Sequence, residues 1–511
     1  MYSIRTALII SLGGFLFGFD ASVISGAIGF VRAQFDLSDI QMGWVVSSPS
    51  FAAMFAMLVA GTLSDYIGRK KVLIFAAFLY SVSALFSAIA PSYYVLVIAR
   101  MVGGLAFGAA LVVAPIYIAE LAPAEKRGKL VSIQQLNIVL GFSISYFSNY
   151  FLLNAMENGS TILTETTVWR WMLGIEFFPA MIYFIMMFFV PRSPRWLMRR
   201  NRIEESDKIL KKIFGKERAS AEKQTIERNL AETESKNKPA LSTLFSKSMV
   251  MVMSIALVIG IIQQITGINA ILFYAPTIFE QSGVGTNAAF AQAVLVGIIQ
   301  LIFTLIAMNT IDRVGRKPLL LAGLAGVVVS MAITAYGFSA ATYTMSKDSI
   351  HILSEEIDTN GLEPMIGKTY TSDVAFKNDL KNILGTQEYN KNEGLILEKA
   401  ISINARLVLI GILIFIASFA ISLGPVMWVV LSEIFPSMIR GMAIAVIGLI
   451  NSLVSFLVQL LFPWELSNLG SAMTYAIFGV FALIGFIMVA KLLPETKGKS
   501  LEQLESELIR E

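Results

Sequence analysis

Cysteine is absent from this chain, histidine occurs once, and charge is scarce. Without cysteine there is no disulfide framework, no thiolate nucleophile and no cysteine-held metal. The lone histidine, His351, lies in a polar stretch, so proton chemistry inside an apolar segment falls to carboxylates. Charged residues make up 15% of the 511, against about 25% in soluble domains. No basic patch interleaved with aromatics points to nucleic acid. No nucleophile–base set, metal cluster or phosphate loop points to an enzyme, and nothing in the sequence asks for a cofactor.

What is present is apolar: 56% of the residues are hydrophobic and the mean hydropathy is +0.69. About 20 apolar residues cross a bilayer's hydrocarbon. On that scale spans fall near 6–30, 42–63, 72–90, 93–118, 130–153 and 171–190, then near 249–279, 287–311, 318–340, 405–433, 440–462 and 470–493. The first run, broken only by Asp20, is too long for a signal-peptide core and lacks a small-residue cleavage site. It reads as an uncleaved first span.

Orientation follows from the lysine and arginine bias of the short loops. "SDYIGRKK" after span 2, "EKRGK" after span 4 and "DRVGRK" after span 8 are basic, whereas Asn154–Val168 holds two glutamates and no lysine or arginine. Segment 192–248 has 15 basic and 8 acidic residues, and segment 341–404 has 6 lysines against 10 acids. All basic segments therefore share one side, read as the cytoplasm together with both termini. The expected architecture is an all-α integral membrane protein of the inner cell membrane, acting as a monomer. It comprises an N-terminal six-helix bundle (1–191), a cytoplasmic helical linker (192–248), a C-terminal six-helix bundle (249–494) with an extracellular insert (341–404), and a cytoplasmic tail (495–511).

Three motifs occur twice. "SDYIGRKK" from Ser64 returns as "IDRVGRKP" from Ile311, and "ELAPAEKRG" from Glu120 as "EIFPSMIRG" from Glu433. "VPRSPR" from Val190 answers "LPETKG" from Leu493. The first two pairs are shifted by 247 and 313 residues, and the difference of 66 is close to the 64-residue insert. One duplicated half plus one insertion accounts for this, and parallel halves with a site between them are a recurrent transporter plan. With "QQITGIN" in span 7 and "GPVMWVVLSEIFP" in span 10, the motif set resembles the sugar porters of the major facilitator superfamily, nearest to bacterial xylose–proton symporters and glucose facilitators. The resemblance implies two pseudo-symmetric bundles working by alternating access on a monosaccharide. One departure is visible: the family's Pro-Glu-Ser-Pro-Arg stands here as Pro191-Arg192-Ser193-Pro194-Arg195.

A sugar is uncharged and covered with hydroxyls, each donor and acceptor, and a carboxamide matches both roles. Span 7 gathers Gln263, Gln264, Asn269 and Tyr274 within twelve residues. Gln263 and Asn269 lie about 240° apart on a regular helix, so they share a face only if the helix is interrupted, and Gly267 offers the place. By resemblance, Gln263, Gln264 and Asn269 match the family's sugar-binding amides, joined by Gln134 of span 5, Gln300 of span 8 and Asn451 of span 11. Trp428 matches the tryptophan that lies against the sugar's C–H face. Ser452 stands where relatives often carry tryptophan.

An acid at a helix centre costs about 2.5–3.5 kcal/mol to insert and usually faces a partner or cavity. For Asp20 the expected partner is Arg100 of span 4, where Gly103, Gly104 and Gly108 admit a close neighbour. An acid and an arginine hold these positions in the resembling proton symporters, which implies a proton as coupling ion, taken up by Asp20 under the control of Arg100. In facilitators an uncharged residue commonly replaces the acid. The remaining paired charges, Asp65, Arg69, Glu120, Arg127, Glu176, Asp312, Arg316, Glu433 and Arg440, are read as a cytoplasmic gate. Two alternatives stand beside coupled import: a facilitator in which Asp20 is structural, and a sugar sensor that binds without transport. The sequence leaves xylose, glucose, galactose and inositol equal, and gives the insert no role.

Overall fold

A computed structural model of the chain describes residues 2–235, 241–354, 357, 359, 361–436, 438–499 and 503–504. Of the expected cytoplasmic tail (495–511), residues 500–502 and 505–511 lie outside them. Twelve helical segments are long and apolar enough to cross a membrane. Spans 1–6 are Tyr2–Phe35, Asp39–Ile67, Arg69–Ala88, Tyr93–Leu121, Gly128–Glu157 and Val168–Met187. Spans 7–12 are Lys247–Phe273, Thr286–Val314, Arg316–Ser339, Ala405–Ile434, Arg440–Asn468 and Ser471–Leu492.

Local chemistry fixes the ends. Ser38 and Gln41 form a reciprocal capping box at the start of span 2. At the two repeated loops, Gly68 (φ 98°) and Gly315 (φ 106°) turn span 2 into span 3 and span 8 into span 9. Both need a backbone region that only glycine enters freely, so the sequence repeat is also a conformational one.

Within the first bundle, span 1 packs on span 5, and spans 2 and 3 pack on span 4. In the second, span 9 packs on spans 10 and 12, and span 7 on span 11. The bundles meet through spans 2 and 11 and through spans 5 and 8. Small residues permit the approach, as they do between helices in lipid: a Cβ on Gly43 would lie 2.1 Å from the Leu460 carbonyl. These interbundle contacts run from mid-membrane, at Met57 and Ser452, to the end that carries the insert.

Three spans are interrupted. Span 7 divides at Gly267 into Val250–Ile265 and Ile268–Phe273. Gly267 sits at φ 91°, and a Cβ there would meet the Phe478 ring at 2.5 Å. Span 10 divides at Ser422, and span 6 at Ile175–Glu176. After span 6 the helices Pro194–Arg199, Ile203–Phe214 and Lys216–Ser235 follow. Trp196 ties them to the end of span 2 by donating to the Asp65 carbonyl at 3.0 Å.

The insert is a small folded unit. Its antiparallel sheet orders Thr369–Tyr370, Thr342–Thr344 and Ile401–Ser402, with the longer helices Asp373–Leu384 and Thr386–Ala400 packed beside it. Tyr343, Phe376, Leu380, Tyr389 and Ile396 form its own core.

Candidate functional site

Asp20 and Arg100 come together as the sequence implies. Arg100 Nη1 donates to Asp20 Oδ1 at 2.8 Å, and its Nε to the Val45 carbonyl at 3.2 Å. Both side chains are buried, 5% and 2% exposed. Gly103 of span 4 lies beside the pair and admits span 3, since a Cβ there would meet Ser83 Oγ at 2.6 Å. Removing either charge alone would strand the other in low dielectric, so the pair is a commitment of the fold.

A third charge stands away from the place its motif suggests. Glu176 is not part of a gate at a span end: it sits at the break in span 6, is 3% exposed, and lies within electrostatic reach of Asp20 and Arg100. An acid in a lipid-length segment finds its partners inside the bundle. Here the interrupted helix delivers it to the Asp20–Arg100 pair. The signal is present in the sequence, as Glu176 stands three residues before Pro179 inside an otherwise apolar run.

The amides of span 7 form one connected set across the Gly267 break. Gln263 Nε2 donates to the Leu423 carbonyl at 3.1 Å, just past the break in span 10. Asn451 Nδ2 donates to Gln263 Oε1 at 2.8 Å and to the Gly260 carbonyl at 2.8 Å. Gln264 Nε2 reaches Asn451 Oδ1 at 3.2 Å, and Asn269 Nδ2 reaches Gln264 Oε1 at 2.9 Å. Every one of these bonds joins uncharged groups, and each can be exchanged for a bond to a hydroxyl without moving charge.

From Asn269 the set continues outward through residues that the sequence motifs do not single out. Asn269 Nδ2 donates to Ser455 Oγ at 2.6 Å, Gln459 Nε2 to the same oxygen at 2.7 Å, and Gln459 Nε2 to Ser50 Oγ of the other bundle at 3.1 Å. The i, i+4 spacing of Ser455 and Gln459 on span 11 is the legible clue. Tyr274 belongs to this outer end: its hydroxyl donates to the Gln459 carbonyl at 3.0 Å.

Gln134 and Gln300 are also buried, and their Oε1 atoms have no hydrogen-bond partner among the described residues. A buried acceptor without a donor costs about 1–3 kcal/mol, so each oxygen is suited to an incoming hydroxyl. Trp428 differs from these amides. Its ring is 43% exposed, an uncovered aromatic face on the second segment of span 10.

At the end carrying the chain termini the repeat motifs form matched ion pairs, each inside its own bundle. Arg69 bonds Asp65 at 2.7 Å and Glu120 at 2.9 Å, and Arg316 bonds Asp312 at 3.1 Å and Glu433 at 2.8 Å. Arg440 donates to the Phe435 carbonyl at 3.1 Å. The side chain of Arg127 lies outside the described ones.

Comparison with known proteins agrees with this fold. The family model described as "Sugar (and other) transporter" matches residues 6–354 and 387–508, leaving out only part of the insert and the extreme ends. The arabinose-proton symporter of Bacillus subtilis is 33% identical over 97% of this chain and 92% of its own length. The D-xylose-proton symporter of Escherichia coli is 32% identical over 99% of this chain and 95% of its own length. The inward-open structure of the E. coli xylose transporter covers 99% of this chain and 100% of its own, with 30% identity and a TM-score of 0.75. The structure of the proton:xylose symporter bound to 6-bromo-6-deoxy-D-glucose gives 32% identity and 0.69, covering 99% and 98%.

Proposed function

The chain belongs to the sugar transporter family of the major facilitator fold, and on that premise we propose that it imports a monosaccharide together with a proton by alternating access. It works in the inner cell membrane as a monomer, with both termini in the cytoplasm and the insert outside. The moving bodies are the bundles 1–191 and 249–494, joined by the linker 192–248. The proton is the coupling ion, and no other cofactor takes part.

In this reading the sugar lies between the bundles, its hydroxyls exchanging bonds with Gln263, Gln264, Asn269 and Asn451, donating to the free oxygens of Gln134 and Gln300, and resting a C–H face on Trp428. Tyr274 closes the outer end of that site. The pairs of Arg69 and Arg316 with their carboxylates, and Arg440, steady the cytoplasmic ends. Greater similarity to an inward-open relative, together with contacts gathered toward the insert, supports an inward-facing position in the cycle for this conformation.

The observation that carries the coupled reading is the buried ion pair of Asp20 with Arg100 in mid-span, with the buried Glu176 at the break in span 6. In general, burial disfavours a carboxylate's charge and a nearby arginine favours it. Helix movement that separates Arg100 from Asp20 changes which proton count is cheapest. That is the physical requirement for a proton to travel with a conformational change. One proton moving down 100 mV contributes about 2.3 kcal/mol, enough for roughly 50-fold sugar accumulation.

Uptake of labelled pentoses and hexoses into proteoliposomes, with and without an imposed proton gradient, tests this. Accumulation of at least one sugar above equilibrium, abolished by a protonophore, is expected. Equilibration alone, for every sugar, would establish a facilitator.

A further inference from the structure

We propose that Glu393 of the insert is a gating residue of the transport cycle: through Arg32 it holds the outer face shut, and it must release Arg32 whenever the site opens outward. The inference rests on the alternating-access reading given above.

Arg32 ends span 1, in the first bundle. Its Nη1 donates to Glu393 Oε2 at 3.3 Å and its Nη2 to Asp39 Oδ1 at 2.8 Å. Among the described residues, Arg32–Glu393 is the ion pair that crosses from one bundle to the other. The other outer contacts between bundles are not ion pairs: Ser143 to the Gly297 carbonyl, Tyr146 to the Leu272 carbonyl, Ser50 to Gln459, Asn287 to the Glu157 carboxylate, and Phe142 stacked on Phe273.

The insert is fastened to the second bundle. Asp373 Oδ2 accepts from the Ser471 backbone N–H at 2.8 Å, at the start of span 12. Lys377 bonds Gln281 Oε1, beyond span 7. Ile401 packs so closely on Gly283 that a Cβ there would meet it at 2.1 Å. The insert therefore travels with spans 7 and 12, and any separation of the outer ends pulls Glu393 away from Arg32.

Breaking a buried ion pair is usually prohibitive because it strands two charges. Here neither is stranded. Arg32 keeps Asp39, while Glu393 keeps Lys377 at 3.6 Å, Gln281 at 2.9 Å and the Tyr389 hydroxyl at 3.0 Å. A contact whose partners are each satisfied on their own side can open and close repeatedly, which a purely structural pair has no need to do. The charge on Glu393 is also secure. Burial pushes its carboxyl up, but Lys377 and Arg32, with the Gln281 hydrogen bond and Lys381, outweigh it and hold the group at about 2. The clamp is thus a standing charge across the physiological range.

The absence of cysteine makes the test clean, since Thr161→Cys and Leu469→Cys, exposed on the outer loops of the two bundles, would be the only thiols. Spin labels there report the outer separation by pulsed electron resonance in reconstituted protein. Glu393→Gln and Arg32→Gln should each raise the ratio of long to short outer distances roughly tenfold or more, the scale of one charge-assisted bond, and the double variant should go no further than either. Distance distributions that superimpose on the parent in both variants overturn the proposal. Should Glu393→Gln disturb the insert's fold, Arg32→Gln, which leaves Lys377, Gln281 and Tyr389 around Glu393, decides alone. A parent that accumulates no sugar and whose distances ignore every monosaccharide defeats the transport reading instead, and is recognised without either variant.

Discussion

The first bundle buries charge where the second buries amides. Asp20, Arg100 and Glu176 are held inside spans 1, 4 and 6, whereas Gln263, Gln264, Asn269 and Asn451 are joined across spans 7 and 11 without a formal charge among them. The halves share loop motifs and backbone turns, so this contrast is not inherited from the fold. It divides the labour: a charged trio can register a proton, and an amide set can trade partners with hydroxyls. A symmetric arrangement, with acids in both halves, would make sugar desolvation and proton transfer compete for one site.

The sharpest way to break the comparison is Asp20→Asn. It removes the ionisable group but keeps a polar side chain beside Arg100. Uphill accumulation should fall from roughly 50-fold to about 1, while counterflow exchange stays within about threefold of the parent. Loss of both activities, or of neither, would show that the charge is structural. Gln263→Leu attacks the other half. It strips an amide that touches Asn451, Gln264 and the span 10 break, and should raise KM by about 10–100-fold. The ratio of protons to sugars moved should stay that of the parent. A changed ratio would mean that the amides take part in coupling and that the division is false.

Much of this contrast is legible in the amino-acid sequence. Twelve apolar segments of membrane length announce themselves, and paired motifs announce the duplication. The break at Gly267 follows from two amides that no regular helix could place on one face, and it is where span 7 divides. What the sequence hides are contacts with no local signature. Arg32 and Glu393 are 361 residues apart, and each reads as an ordinary surface charge. Glu176 is visible as an acid among apolar residues, yet its partner depends on how the two segments of span 6 pack against spans 1 and 3. Ser422, where span 10 divides, precedes the more conspicuous Gly424-Pro425 pair. The insert's fold rests on Phe376, Tyr389 and their neighbours in short polar helices, which no membrane-length pattern reveals.

The cytoplasmic loops sharpen the same contrast at smaller scale. In the second bundle Glu495 accepts from the backbone N–H groups of Arg316 and Lys317, both at 3.1 Å, capping span 9, and Thr496 Oγ1 donates to Glu433 Oε2 at 2.6 Å. The first bundle has Arg192 and Ser193 at these repeat positions. Span 3 starts with no side-chain cap, Ser193 caps its own short helix, and Glu120 Oε2 has no partner among the described residues. Lys70, at the same helix start, donates to the Phe188 carbonyl at 2.7 Å and shares a cleft with Arg192. Glu495→Ala should therefore lower thermal stability by about 1 kcal/mol, the worth of a helix cap. Arg192→Glu should raise it by about 0.5 kcal/mol, since the exposed Arg192–Glu205 pair that is lost contributes little. Acid separates a true cap from general charge balance. Burial pushes Glu495 up, but backbone N–H groups, Lys497 and Arg316 first among them, bring it below the ordinary carboxylate value. A depressed acid stabilises above its unfolded pKa and loses that contribution as pH falls through the folded one. Melting curves of the parent and Glu495→Ala should thus converge as the pH drops below the ordinary carboxylate range, and Arg192→Glu should lose its gain there too. A gain that persists in acid would mean that the substitution merely relieves the crowding of Arg192 and Lys70, with no cap formed.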